Sequence, residues 1–203
     1  MTCRVISYGE RMSRWAPDAA LRLERAALEL FTEQGYAGTS VPEIATRAGL
    51  TTRTFFRHFP DKREVLFLRE RELPAVVASL VAGAPAFLSP LGIVMHGFEA
   101  MAAGMFEGWR PDLQARRAII GSDQGLRERE LLKNVLLAGV ITEALAGQGV
   151  GGREARLVAR YGVLVFEIAL TDWLDSDSDT FPDVLHSTAY RMGQLVRPAR
   201  QDE

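Results

Sequence analysis

The sequence predicts an all-α chain in which a small N-terminal group of three short helices is followed by a larger helical domain. Apolar residues recur at spacings of three and four along almost the whole length. No run alternates apolar and polar residues between hairpin turns. Hydroxyl and carboxylate caps, glycine stops and proline breaks cut the chain into helix-sized pieces.

The elements follow in order. Residues 1–16 carry Arg4, Arg11 and Arg14 and no uncharged apolar run of signal-peptide length, so a flexible basic arm on a cytoplasmic protein is expected. Over Pro17–Gln34 the positions Leu23, Ala26, Ala27, Leu30 and Phe31 form one apolar stripe, and Gly35 is placed to end the helix. Ser40 with Glu43 is a capping-box pattern, so a second helix starts near Val41 and stops before Gly49. Thr51 caps a third helix running through Phe59; Pro60 stops it, and Asp61 with Glu64 caps a fourth. Residues 17–63 are therefore expected to form one domain and 64–203 another.

Residues 73–98 hold no charge, a length that raises the question of a membrane span. Pro74, Pro85 and Pro90 with Gly83, Gly92 and Gly97 cut the stretch up, so two buried helices are expected instead, and no membrane partner. Ser89-Pro90 opens a helix to about Glu107, Pro111 a short one, and Asp123 a long one to about Ala146. The glycines at 147, 149, 151 and 152 make a break. A helix from Arg153 to about Leu174, the polar loop DSDSD and a last helix capped by Thr180 with Asp183 complete the chain, to about Val196.

Composition narrows the function classes. At 203 residues, 47% hydrophobic and 25% charged, the chain can bury a sizeable core. Cys3 is the only cysteine and His58, His96 and His186 lie far apart, so neither a disulfide framework nor a metal site is expected, and no cofactor. Nucleophile, zinc-hydrolase and phosphate-loop signatures are all missing, and His96 with Glu99 at i, i+3 fits pocket lining or a local contact better than a catalytic pair. The expectation is that the chain is not an enzyme, with an all-α enzyme as the remote alternative. Residues 1–72 hold 12 Lys and Arg against 10 Asp and Glu, a balance of +2, while 73–203 hold 12 against 16, a balance of −4. That modest asymmetry fits a partner of negative charge without requiring one.

Residues 41–59 supply the parts of a helix-turn-helix: a bracing helix, a tight turn with glycine, and a second helix whose start can reach base edges in the major groove. Ile44, Ala45, Ala48 and Leu50 face inward, and Phe55 and Phe59 at i, i+4 form the buried stripe of the second helix. Thr52, Arg53, Phe56 and Arg57 are left on other faces. Thr39, Ser40 and Thr51 serve as caps first and phosphate ligands second. Arg57 and His58 fit a solvated surface as well as a phosphate contact, and the N-terminal arm fits disorder as well as a minor-groove role.

The stretch ALELFTEQGYAGTSVPEIATRAGLTTRTFFRHFPDKREVL resembles the N-terminal DNA-binding domain of the TetR (tetracycline repressor) family, through ALELF then QGY, the TSV cap, IATRAGL and RHFPDK at fixed spacings. The resemblance implies that Thr52, Arg53 and Thr54 contact bases or nearby phosphates, Arg53 by a bidentate pair with guanine. It puts Phe56 where the family usually has tyrosine, and His58 and Lys62 at positions that touch phosphate in relatives.

For the larger half the resemblance implies a dimerising body with an apolar ligand pocket, whose occupancy changes the spacing of two DNA-reading heads. Met95, His96, Phe98, Glu99, Met101, Met105, Phe106 and Trp109 offer the thioethers, aromatic walls and polar handles of such a cavity, though a stripe of this kind equally makes plain core. Leu157, Tyr161, Leu164, Val165, Ile168 and Trp173, with Leu185, Ala189 and Met192 on the last helix, offer a four-helix interface between two copies. The expected protein is a homodimeric repressor of a palindromic duplex operator, released by a small-molecule effector. The alternative is a ligand-independent DNA-binding dimer controlled by a protein partner.

Overall fold

The structure, a computed structural model, describes residues 17–85, 87–105, 109–176 and 180–195. The expected basic arm with Arg4, Arg11 and Arg14, and Phe106, lie outside the described residues, as does the side chain of Met105. Among the described residues every regular element is helical: α1 (Pro17–Gln34), α2 (Val41–Arg47), α3 (Thr52–His58), a 3₁₀ segment (Arg63–Glu70), α4 (Leu73–Ala82), α5 (Pro90–Met105), α6 (Arg110–Ser122), α7 (Gln124–Gly147), α8 (Gly152–Asp175) and α9 (Phe181–Leu195). None of these helices is long and apolar enough to cross a membrane.

The chain divides into two compact units, the first Met1–Leu73 with Gly108–Lys133, the second Pro74–Glu107 with Asn134–Glu203. The first unit draws on two separate stretches of the chain, for a physical reason. The core of the first unit gathers Leu23, Ala27, Leu30 and Phe31 of α1, Ile44, Phe55 and Phe59 of the next two helices, and Val65, Leu66 and Phe67 of the 3₁₀ segment. Ile119, Ile120 and Leu126, from α6 and the start of α7, close that core. Three short helices bury too little apolar area alone, and distant sequence supplies the rest.

The expected fourth helix is a 3₁₀ segment eight residues long, beyond the usual three or four of that geometry. Its poorer backbone bonding is supplemented from outside. Arg116 donates from Nε to the Leu66 carbonyl at 2.8 Å and also pairs with Glu70 and Glu130. Arg129 holds both oxygens of Glu64, at 2.7 and 3.2 Å. Both guanidiniums lie over the Phe67 ring, 5.1 and 4.6 Å from its centroid. Arg69 donates from Nε to Glu24 of α1 at 2.9 Å and stacks over Trp109 at 4.1 Å. Glu24 is buried, and that burial holds its carboxyl above the ordinary carboxylate range although Arg69 pulls it down.

The second unit is built by apolar packing of longer helices. α8 packs on both α5 and α9, and α9 on α5. Gly162 is the point of closest approach: a Cβ there would lie 2.5 Å from Val94 Cγ1. Phe98 stacks on Phe166 at 4.6 Å, and Phe166 and Trp173 meet Phe181 at 5.4 and 5.8 Å. Gln148, just past α7, donates to the Val81 carbonyl of α4 at 2.6 Å, and Asn134 of α7 to Glu167 of α8 at 3.1 Å.

Candidate nucleic-acid interface

The helix-turn-helix is set by local rules that the sequence carries. At the entry to α2, Ser40 Oγ accepts from the Glu43 N–H while Glu43 accepts from Ser40 N at 2.7 Å, the expected capping box. The hydrogen bonds from the Ser40 hydroxyl and backbone hold the Glu43 carboxyl below its ordinary range. α2 ends at Ala48 and Gly49, the latter in the left-handed region at φ +66°, and Leu50 N donates back to Ala45 O at 2.8 Å. Thr51 then caps α3, its hydroxyl accepting from Thr54 N at 3.1 Å.

Phe55 and Phe59 are fully buried and 5.3 Å apart, which fixes the rotation of α3 about its axis. Arg53, Phe56 and Arg57 follow at i, i+3 and i+4 and all face solvent, Phe56 with 54% of its surface exposed. Among the described residues neither Arg53 nor Arg57 has a hydrogen-bond or ion-pair acceptor. Thr52 and Thr54 are half-buried, and the Thr54 hydroxyl lies 3.0 Å from that of Thr51. An exposed face with two unpaired guanidiniums around an aromatic ring suits phosphate and base edges.

Other expected contact residues are engaged internally. Thr39 is buried, donating its hydroxyl to the Gly35 carbonyl at 2.8 Å and accepting from Gln34. Lys62 donates to the carbonyls of Tyr36 at 2.6 Å and Thr39 at 2.8 Å, with its ammonium 4.1 Å from the Tyr36 ring centroid. Burial pushes that ammonium below the ordinary lysine range, against the pull of Asp123 and Glu43. Lys62 thus fastens the loop before α2, with two of its three N–H groups spent. His58 Nε2 is buried and has no hydrogen-bond partner among the described residues, and burial, then Arg57 and Arg71, lower its basicity.

Two anchors carried no legible signal in the sequence. Arg22 of α1 donates to the Ala48 carbonyl at 2.5 Å, bracing the turn from 26 residues away. Arg71 donates to the His58 carbonyl at 3.0 Å and lies over Phe59, bracing the end of α3. Both read as ordinary surface cations until the fold brings them to those carbonyls.

The pocket candidates divide between the units. Met95, Phe98 and Met101 are buried on α5, His96 is exposed, and Glu99 accepts from His186 Nε2 of α9 at 2.7 Å. Trp109 belongs to the first unit, where its ring lies beneath Arg69. Among the described residues no group of three or more His, Cys, Asp or Glu is placed to hold a metal ion.

The interface candidates also split. Leu157, Tyr161, Leu164 and Ile168, at i, i+4, i+7 and i+11, form a stripe on α8 that is exposed or half-buried, and Leu157 keeps 64% of its surface in solvent. Val165, Trp173 and Leu185 are buried within the subunit, where α8 and α9 face α5, so they are not available to a second copy. Ala189 and Met192 are half-buried on α9, where Tyr190 and Leu195 are exposed.

Residues 24–68 match the family model described as bacterial regulatory proteins, tetR family. The HTH-type transcriptional regulator TcmR of Streptomyces glaucescens is 29% identical over 177 residues, which cover 86% of this chain and 70% of TcmR. The HTH-type transcriptional regulator TtgW of Pseudomonas putida is 31% identical over 121 residues, 59% of this chain and 84% of TtgW. Among solved structures, Thermus thermophilus FadR, a TetR-family transcriptional repressor in complex with lauroyl-CoA, is similar with a TM-score of 0.52 at 24% identity, over 91% of this chain and 99% of FadR.

Proposed function

This chain belongs to the TetR family of DNA-binding transcriptional regulators, and from that premise we propose that it is a homodimeric repressor released from a palindromic operator by a small apolar or amphipathic ligand. The observation that carries the DNA-reading part is the outward face of α3, where Arg53 and Arg57 stand unpaired on either side of exposed Phe56. Arg53 pairs with a guanine edge, Phe56 packs on sugar or a thymine methyl, and Arg57 with the α3 cap residues Thr51, Thr52 and Thr54 meets phosphate. Thr39, Ser40 and Lys62 hold the loop and the start of α2 in register. As a bacterial DNA-binding regulator it works in the cytoplasm.

Dimerisation through the α8 stripe and α9 follows from what an operator demands. Two heads must reach half-sites about 34–36 Å apart, and two copies related by a twofold axis do so. The effector acts by population shift, weakening operator binding only by its differential affinity for the two conformations.

Selection of bound duplexes from a random pool tests the reading, with enrichment of an inverted repeat as the expected result. A pool that yields no enriched sequence refutes it. Titration of the selected complex with a panel of apolar and amphipathic molecules, acyl-CoA thioesters included, then tests release. A second reading, a dimer controlled by a protein partner, is favoured by the burial of Met95, Phe98 and Met101, with Phe98 stacked on Phe166. It gains if no compound changes operator affinity.

A further inference from the structure

On the α1 side of the helix-turn-helix turn lies an open cleft of about 540 Å³, lined by Arg22, Arg25, Ala26, Glu29, Arg47, Ala48 and Gly49. Three guanidiniums face one carboxylate there. Two of the three are occupied: Arg47 holds Glu33 at 2.8 and 2.9 Å and reaches Glu29 at 3.4 Å, and Arg22 donates to the Ala48 carbonyl. Arg25 is exposed and has no acceptor among the described residues. In its unit that condition is shared by Arg53 and Arg57 alone among the described cations, since the arginines and lysines of the 3₁₀ segment, α6 and α7 are engaged.

We propose that this cleft seats a backbone phosphate of duplex DNA, with Arg25 as the contacting cation, beside the bases that α3 reads. The inference rests on the DNA-binding reading above. A guanidinium at the edge of a concave surface presents parallel N–H donors that match phosphate oxygens, and its charge remains unneutralised because Glu29 is already held by Arg47. The cleft wall includes Ala48 and Gly49, two residues before the Thr51 cap of α3, so a phosphate seated there adjoins the reading helix. Arg22 fixes the wall by pinning Ala48, leaving Arg25 to supply the contact.

Non-specific binding is almost wholly a backbone interaction, so a mixed-sequence duplex suffices as the probe. Affinity is measured across a salt series for the full chain and for Arg25→Ala, Arg25→Gln and Arg25→Lys. Removing one phosphate contact lowers the slope of log affinity against log salt by about 0.9, and the loss is uniform over sequences. Arg25→Ala and Arg25→Gln are expected to show that reduction at unchanged melting temperature, while Arg25→Lys keeps the slope. An unchanged slope in both neutral variants, with wild-type binding intact, overturns the phosphate seat and leaves the DNA-binding reading standing. A wild-type chain that binds no duplex overturns both.

Discussion

The two compact units solve the same packing problem by different means. The first packs two seven-residue helices, α2 and α3, against longer ones, so much of its order comes from caps, one left-handed glycine at the turn and charges clasped around an apolar centre. The second uses helices of up to 24 residues, and its order comes from close apolar contact, as at Gly162 against Val94 and in the aromatic line from Phe98 to Trp173. Polar and capping contacts are directional and hold side chains at set positions. Apolar packing is less directional and can rearrange at lower cost, which suits the ligand-responsive body proposed above.

The sharpest way to break this comparison is to cut each core at its centre. Phe55 and Phe98 are both fully buried, and replacing either with alanine is expected to cost about 3–5 kcal/mol. Urea denaturation with hydrogen exchange resolved by unit should show Phe55→Ala opening the first unit and Phe98→Ala the second. If Phe98→Ala opens both equally, the units do not hold their structure independently.

A smaller effect is expected where the first unit depends on charge. Arg69→Ala leaves the buried Glu24 carboxylate without its partner and should cost about 2 kcal/mol, less than a fully buried pair because Arg69 is partly solvated. The pH dependence has a definite sign. Burial raises the folded-state pKa of Glu24 above its ordinary value of 4.5, so its favourable contribution is present below 4.5 and is lost as pH rises through the raised value. Removing Arg69 takes away the opposing pull and steepens that loss, whereas Glu24→Gln abolishes it. Stability curves measured from pH 4 to 8 that are parallel in all three proteins would contradict the assignment.

How far each region could be read from the sequence follows from the same difference. The capping box at Ser40, the Thr51 and Thr180 caps, the Gly35 and Gly49 turns and the buried pair Phe55 and Phe59 depend on residues within a few positions of one another, and all were legible. The closure of the first core by Ile119, Ile120 and Leu126 was not, because nothing local marks which apolar face meets α1. The same limit hid the division of the interface stripe. Val165 and Leu164 are adjacent on α8 and equally apolar, yet only the position of α5 decides that one is buried and the other exposed. The 3₁₀ geometry was illegible for a related reason, since Arg116 and Arg129 support it from some fifty to sixty-five residues away.

Lys62 and Arg53 sharpen the contrast inside the reading head. Lys62→Ala removes two charge-assisted hydrogen bonds and a ring contact and should cost about 1–2 kcal/mol in thermal stability, with DNA affinity falling alike for every sequence. Arg53 is exposed and has no hydrogen-bond or ion-pair partner among the described residues, so for Arg53→Ala the melting temperature should stay at the wild-type value while preference at one base position falls by about 1–3 kcal/mol. Selection profiles for the two variants separate positioning from reading; a sequence-specific loss from Lys62→Ala together with an unchanged melting point would reverse the roles.

The smallest effect on subunit stability is expected on the second unit's exposed stripe. Leu157 and Leu164 contribute little to their own subunit's core, so Leu157→Glu with Leu164→Glu should shift its unfolding by no more than about 0.5 kcal/mol at each site. Sedimentation should nonetheless change from dimer to monomer, because glutamates on a two-copy interface bury four carboxylates without partners. Operator affinity should then fall steeply while contact by a single head with one half-site persists. Val165→Glu, one residue away and facing α5, is expected instead to unfold the unit. If the double variant stays dimeric, the copies meet elsewhere, and the exposed Val135 and Leu136 on α7 become the next surface to substitute.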